Sequence, residues 1–155
     1  MDVSPHVVLI EDNSSDIIRA IRVLKSLNVQ HASVFTSVSP AVLYFEDVIA
    51  GVKPCPDLII LDLDFGGESG FEILRLRKAS RALLQCEVLV WTIMGETQKE
   101  LCRLFGLSHI VSKHDGESAL KSELETCLNQ KSQNTPDHPD GANMHKHRRP
   151  DTENV

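Results

Sequence analysis

Five short apolar runs recur along the first 129 residues, at His6–Glu11, Ala32–Thr36, Leu58–Leu63, Val88–Thr92 and Ile110–Ser112. They are rich in Val, Ile and Leu and do not alternate with polar residues, the pattern of strands covered on both faces. The stretches between them carry helical spacing. Ile17, Ile21 and Leu24 fall at i, i+4 and i+7 behind Asn13, Ser14 and Ser15, which offer N-cap oxygens. Val42, Phe45 and Ile49 repeat that spacing behind Ser39-Pro40, an N-cap followed by proline at the first helical position. Phe71 and Leu74 follow Ser69-Gly70 in the same manner, Leu101, Leu104 and Phe105 run up to a helix-ending Gly106, and Leu120, Leu124, Cys127 and Leu128 follow Asp115. The alternation reads (βα)₅. It predicts a doubly wound α/β domain over residues 1–129, a five-stranded parallel sheet with helices on both faces. Ligands of such sheets bind beyond the carboxyl ends of the strands, where strand order reverses, so the residues just after each run matter most.

From Gln130 onward large apolar side chains almost vanish. A segment of that composition cannot offset its ordering entropy by burial, so residues 130–155 are expected to form a disordered polar tail. Its His145, Lys146, His147, Arg148 and Arg149 read as a solvated charge cluster. A tail of this length is too short for a DNA-binding or enzymatic output module, so a single stand-alone domain is expected.

Charge narrows the partners. The chain has 155 residues with 16 Lys+Arg against 22 Asp+Glu, a net charge of −6, and all of the excess lies before residue 130. An acidic domain without a long basic run is ill suited to neutralising phosphates, which argues against nucleic acid and anionic membrane as partners. The first residues, MDVSPHVVLI, lack the basic start and long apolar core of a secretory signal, and no run approaches a membrane span. Cys55, Cys86, Cys102 and Cys127 are scattered without metal or redox spacing, so reduced, packed thiols in a cytoplasmic protein are expected.

The strand ends carry the chemistry. The first run ends in Glu11-Asp12, and the third, LIILDLDFGGESG, places Asp62 and Asp64 at or just past its tip. If these strands are neighbours, their carboxylates converge and repel one another unless a proton, a lysine or a hard metal intervenes; Mg²⁺, with its oxygen ligands, is the natural metal. Any one of these acids alone is more simply a helix cap or a solvated loop residue. The fourth run ends at Thr92 and the fifth at Lys113, so a hydroxyl and an ammonium join the same edge, the combination that phosphoryl transfer uses.

In these residues the chain resembles the receiver domains of two-component response regulators over roughly residues 5–129. Glu11-Asp12 matches the family's metal-binding acid pair. Asp62 matches the phosphorylated aspartate, ending an apolar strand eight residues before Gly70. Thr92, thirty residues on, matches the switch hydroxyl, and Lys113, twenty-one further, the lysine after the last strand. The resemblance implies a flavodoxin-like sheet with strand order 2-1-3-4-5. It also implies phosphoryl transfer to Asp62 from a sensor histidine kinase or phosphotransfer protein. Mg²⁺ would be held by Asp12, Asp62 and the backbone carbonyl of Asp64, with Glu11 holding a metal-bound water. Output would run through protein contacts to a downstream protein. The start, VVLIEDNSSDIIRAI, is also similar to single-domain regulators associated with phytochrome-type kinases. A homodimer face on the fifth helical segment stays open, because apolar content on one helix does not separate self-association from core packing.

The chain departs from the family pattern at several positions. His114 replaces the proline that usually follows the lysine in cis, which predicts a trans bond and a reshaped loop. Ile110 stands where the family has a rotating aromatic, Ile93 replaces a small residue beside Thr92, Gly66 replaces a common proline, and Asp64 adds a carboxylate beside the site. Two rival readings follow. The segment LDLDFGG also resembles the first motif of haloacid-dehalogenase phosphatases, with Asp62 as nucleophile and Asp64 as general acid, but the acid pair then stands on the wrong side of it. The other rival is a receiver-fold adaptor that works without phosphorylation.

Overall fold

The computed structural model describes residues 4–65, 67–93 and 95–134. Seven strands and five α-helices alternate along it. They are β1 (His6–Ile10), α1 (Ser14–Ser26), β2 (His31–Phe35), α2 (Val38–Ile49), β3 (Leu58–Leu61), β4 (Asp64–Phe65), β5 (Glu68–Ser69), α3 (Phe71–Ala79), β6 (Glu87–Thr92), α4 (Glu96–Leu104), β7 (His109–Ser112) and α5 (Gly116–Asn134). The main sheet is parallel with order β2-β1-β3-β6-β7. Setting aside the hairpin β4-β5, this is the expected order 2-1-3-4-5.

The unbroken apolar runs have a simple cause. Successive side chains of a strand point to opposite faces, and both faces of β1, β3 and β6 are covered, whereas the edge strand β2, expected to be covered as well, has no buried residue. Val8, Ile10, Ile59, Leu61, Val88 and Val90 pack on one side with Phe45 of α2, Ile73 and Leu74 of α3 and Cys102 of α4. Val7, Leu9, Ile60, Leu89, Trp91 and Val111 pack on the other with Ala20 and Leu24 of α1 and Leu120, Leu124 and Cys127 of α5. The apolar positions of α5 are therefore accounted for by the core, and they leave no argument of their own for a homodimer.

Four local expectations are corrected. Helix α2 begins at Val38, not behind Ser39-Pro40, and its first N–H donates to Glu68 Oε1 at 3.1 Å; proline is tolerated here because first-turn N–H groups have no partner within the helix. The third run ends as a sheet strand at Leu61, and Asp64–Phe65 turns back to pair antiparallel with Glu68–Ser69. Helix α5 runs through Asn134, so residues 130–134 are helical where a disordered tail was expected. The buried His109 anchors the extension, with Nδ1 2.6 Å from Glu123 Oε2 and Nε2 3.2 Å from Gln130 Oε1. The rest of that expected tail, 135–155, lies outside the described residues.

The fourth correction concerns the thiols. Cys55 and Cys86 form a disulfide, while Cys102 and Cys127 are free and buried. The paired residues stand just before β3 and β6, neighbouring strands in which Leu58 lies opposite Glu87, so sheet register brings together cysteines 31 residues apart. This pairing removes the argument from reduced thiols to a cytoplasmic setting. Among the described residues no helix is long and apolar enough to cross a membrane.

Candidate phosphoacceptor site

Register places the chemistry at one end of the sheet. Ile10 lies opposite Leu61, and Leu61 opposite Val90, so Glu11 and Asp62 emerge side by side just past the tips of β1 and β3, near Thr92, the last residue of β6. The backbone continues the pairing: Asp62 N–H donates to the Ile10 carbonyl at 3.0 Å and Glu11 N–H to that of Phe35 at 3.0 Å. Lys113 follows β7 in a 3₁₀ turn, Lys113–Asp115, in which Ser112 Oγ accepts from His114 N–H at 3.2 Å. There is no cis peptide bond among the described residues, so His114 follows a trans bond and the loop is a 3₁₀ turn.

All six residues singled out in the sequence, Glu11, Asp12, Asp62, Asp64, Thr92 and Lys113, line one cavity of about 170 Å³ with Asn13, Asp16 and Ile93. Asp62 is at its centre, 4% exposed. Its Oδ1 accepts from Thr92 Oγ1 at 2.5 Å and from Asp64 N–H at 3.1 Å, and its Oδ2 accepts from Lys113 Nζ at 3.0 Å. Thr92 already points inward, touching the carboxylate. Gly70 explains how the loop after Asp62 can turn so tightly into α3: a Cβ there would collide with the Asp62 carbonyl oxygen and the Leu63 backbone.

Lys113 Nζ is shared among three carboxylates, lying 2.6 Å from Glu11, 2.8 Å from Asp16 and 3.0 Å from Asp62. Its ammonium also sits 5.3 Å from the centre of the buried Trp91 ring. Burial works against the charge on Lys113, but its hydrogen bonds to Asp16, Glu11 and Asp62 outweigh that and raise its pKa above the ordinary lysine value. Burial pushes the Glu11 carboxyl up to about 7. The Asp62 charge adds to that rise, while Lys113 and the Asn13 amide oppose it. Five carboxylates and one ammonium therefore line the cavity, and its excess negative charge calls for a further cation.

Glu11, Asp12 and Asp62 can hold one. Each offers a carboxylate oxygen within 4.8 Å of the others, a spacing and an all-oxygen donor set that suit a hard divalent ion. Asp12 is exposed and Glu11 buried, so one ligand faces solvent and another the protein.

Asp16 is the member that reading strand tips misses. It lies in the first turn of α1, where an acid is ordinarily explained by the helix dipole. Ile110, in the aromatic position, is partly buried against the core, and Ile93 is 58% exposed at the mouth of the cavity.

No family model matches the chain, and no curated protein matches it. Solved structures do. The signal receiver domain of a putative LuxO repressor protein from Vibrio parahaemolyticus is 21% identical with a TM-score of 0.68, covering 84% of this chain and 95% of that one. The signal receiver domain of a signal transduction histidine kinase from Syntrophus aciditrophicus is 19% identical with a TM-score of 0.69, covering 88% and 96%. The chain has the receiver fold. The bacteriophytochrome response regulator AtBRR shares this receiver fold at 20% identity and a TM-score of 0.66, covering 80% and 92%.

Proposed function

We propose that the chain is a response regulator receiver that accepts a phosphoryl group on Asp62 from a phosphohistidine of a sensor histidine kinase or phosphotransfer protein. One observation carries this reading: a single buried carboxylate is held at once by the Thr92 hydroxyl and the Lys113 ammonium, beside two further carboxylates spaced for a divalent cation. No simpler structural role needs all four groups on one aspartate.

Asp62 would attack phosphorus in line, forming the carboxylate O–P bond as the P–N bond to histidine breaks, and the departing imidazole nitrogen keeps the electron pair. Thr92 Oγ1 and Lys113 Nζ, already on the two carboxylate oxygens, orient the nucleophile. After transfer they are placed to donate to phosphoryl oxygens instead. Asp12, Asp62 and the Asp64 carbonyl would hold Mg²⁺, and Glu11 a water upon it. When bound, the ion supplies positive charge that offsets the moving phosphoryl group. The protein is then a signalling domain whose only chemistry is its own phosphorylation and dephosphorylation, and its output passes through protein contacts.

Incubation with Mg²⁺ and acetyl phosphate, followed by intact mass, tests this. A transient, base-labile gain of one phosphoryl group, absent in Asp62→Asn, is expected. Steady hydrolysis of a phosphate ester would instead support the phosphatase reading, and inertness in both assays the adaptor.

A further inference from the structure

Asp16 makes a contact that neither the helix dipole nor the acceptor chemistry requires. Its Oδ2 lies 2.8 Å from Lys113 Nζ, and its Oδ1 accepts from Arg19 Nη1 at 2.8 Å. The side chain is 15% exposed, so both pairs are largely shielded from solvent. Asn13 Oδ1 caps the helix through the Asp16 backbone N–H, a contact that does not involve the carboxylate. The carboxylate is thus free to act on Lys113, and Arg19, whose guanidinium lies 5.5 Å from the Trp91 ring centre, draws it the other way.

We propose that Asp16 is a positioning residue for phosphoryl transfer to Asp62: its carboxylate competes with the phosphoryl group for Lys113 and keeps the resting site slow to accept an anion. The inference rests on Asp62 being the acceptor. The ammonium that must stabilise the incoming phosphoryl oxygens is bound at rest by Glu11, Asp16 and Asp62 together. Glu11 and Asp62 can pass to a cation when one binds, whereas Asp16 stands outside the acid triad spaced for it. Asp16 therefore remains on Lys113 at the moment of transfer. It both withholds a donor and adds a negative charge within about 6 Å of the acceptor oxygen, by the sum of the two contacts through Nζ.

Replacing it with a neutral isostere should raise the rate. One unit charge at that distance is worth roughly threefold in rate even at the dielectric of bulk water, and more where solvent is excluded. Phosphorylation of wild type, Asp16→Asn, Asp16→Glu and Arg19→Met is measured with acetyl phosphate, a dianion, and phosphoramidate, which carries less charge. Asp16→Asn is expected to be faster with both donors and to gain more with acetyl phosphate. Asp16→Glu should return toward wild type, and Arg19→Met, which frees Asp16 to hold Lys113 harder, should be slower. Binding of beryllofluoride, followed through the fluorescence of Trp91, the only tryptophan in the chain, should tighten in Asp16→Asn. A loosened helix would change both donors alike and would not reverse sign in Arg19→Met. An Asp16→Asn rate equal to or below wild type, or an Arg19→Met rate above it, overturns the proposal. A wild-type protein that forms no adduct at all overturns the acceptor reading beneath it.

Discussion

The two ends of the sheet are built from the same strands and behave as opposites. At the amino end, every polar group named has a partner of matched demand: His6 N–H donates to Asp57 Oδ2 at 2.8 Å, Asp57 N–H returns to the His6 carbonyl at 2.9 Å, and the Cys55–Cys86 disulfide ties β3 to β6. At the carboxyl end, the residue after β3 and the last residue of β6 bring Asp62 and Thr92 into a cavity lined by five carboxylates and one ammonium. One end is clasped and the other is left short of positive charge. A fold can tolerate that imbalance only where the opposing core is secure, and the shortage is what gives a cation something to bind to.

The largest effect expected at the clasped end is on stability alone. Replacing both Cys55 and Cys86 by serine opens a closed loop whose ends are 31 residues apart, which should lower stability by about 3–4 kcal/mol in urea unfolding. Adduct formation by the folded fraction should be unchanged. A large fall in the rate of phosphorylation would show that the two ends are not separable.

At the other end the leading effect is on pH dependence. Glu11 titrates at about 7 in the folded, metal-free protein against 4.5 for an ordinary glutamate. The folded state therefore holds the extra proton, and the linkage lowers stability as pH rises from 4.5 to 7, by about 3 kcal/mol over that window. Urea midpoints in EDTA should fall across it, Mg²⁺ should restore them most at the upper end, and Glu11→Gln should flatten the profile. A metal-free midpoint that rises through the same window contradicts the site's charge imbalance.

Gly70→Ala probes the joint between the two behaviours, because its new methyl meets Asp62 and Leu63 backbone. It should cost about 1–3 kcal/mol as an overpacked site and slow phosphorylation at the same time, while an equally buried change at the clasped end should cost stability only.

The same contrast explains what could be read from the residues beforehand. The strands of the sheet were legible because Val7–Ile10 and Leu58–Leu61 are buried on both faces and so carry no alternation to misread. The candidate site was legible because its members end or directly follow such runs. The hairpin Asp64–Phe65 with Glu68–Ser69 was not, since two-residue strands have no periodicity to detect. Neither was the disulfide, which depends on register between strands rather than on spacing in the chain. Asp16 was hidden by a sufficient local explanation, an acid in a first helical turn, and only the fold brings Lys113 back across 97 residues to meet it. The extension of α5 past Asn129 was hidden by composition: Gln130 and Lys131 are good helix formers, and an anchored helix continues through polar residues.

The most direct measurement is chemical mapping of the phosphorylated position. After reaction with acetyl phosphate and Mg²⁺, borohydride reduces an acyl phosphate to the alcohol, and peptide mass spectrometry locates the reduced side chain. The predicted result is homoserine formed from Asp62 and from no other acid of the cavity. Reduction at Asp12, Asp16 or Asp64 instead, or at none of them while the protein binds Mg²⁺ normally, would contradict the assignment of Asp62 as the phosphoryl acceptor.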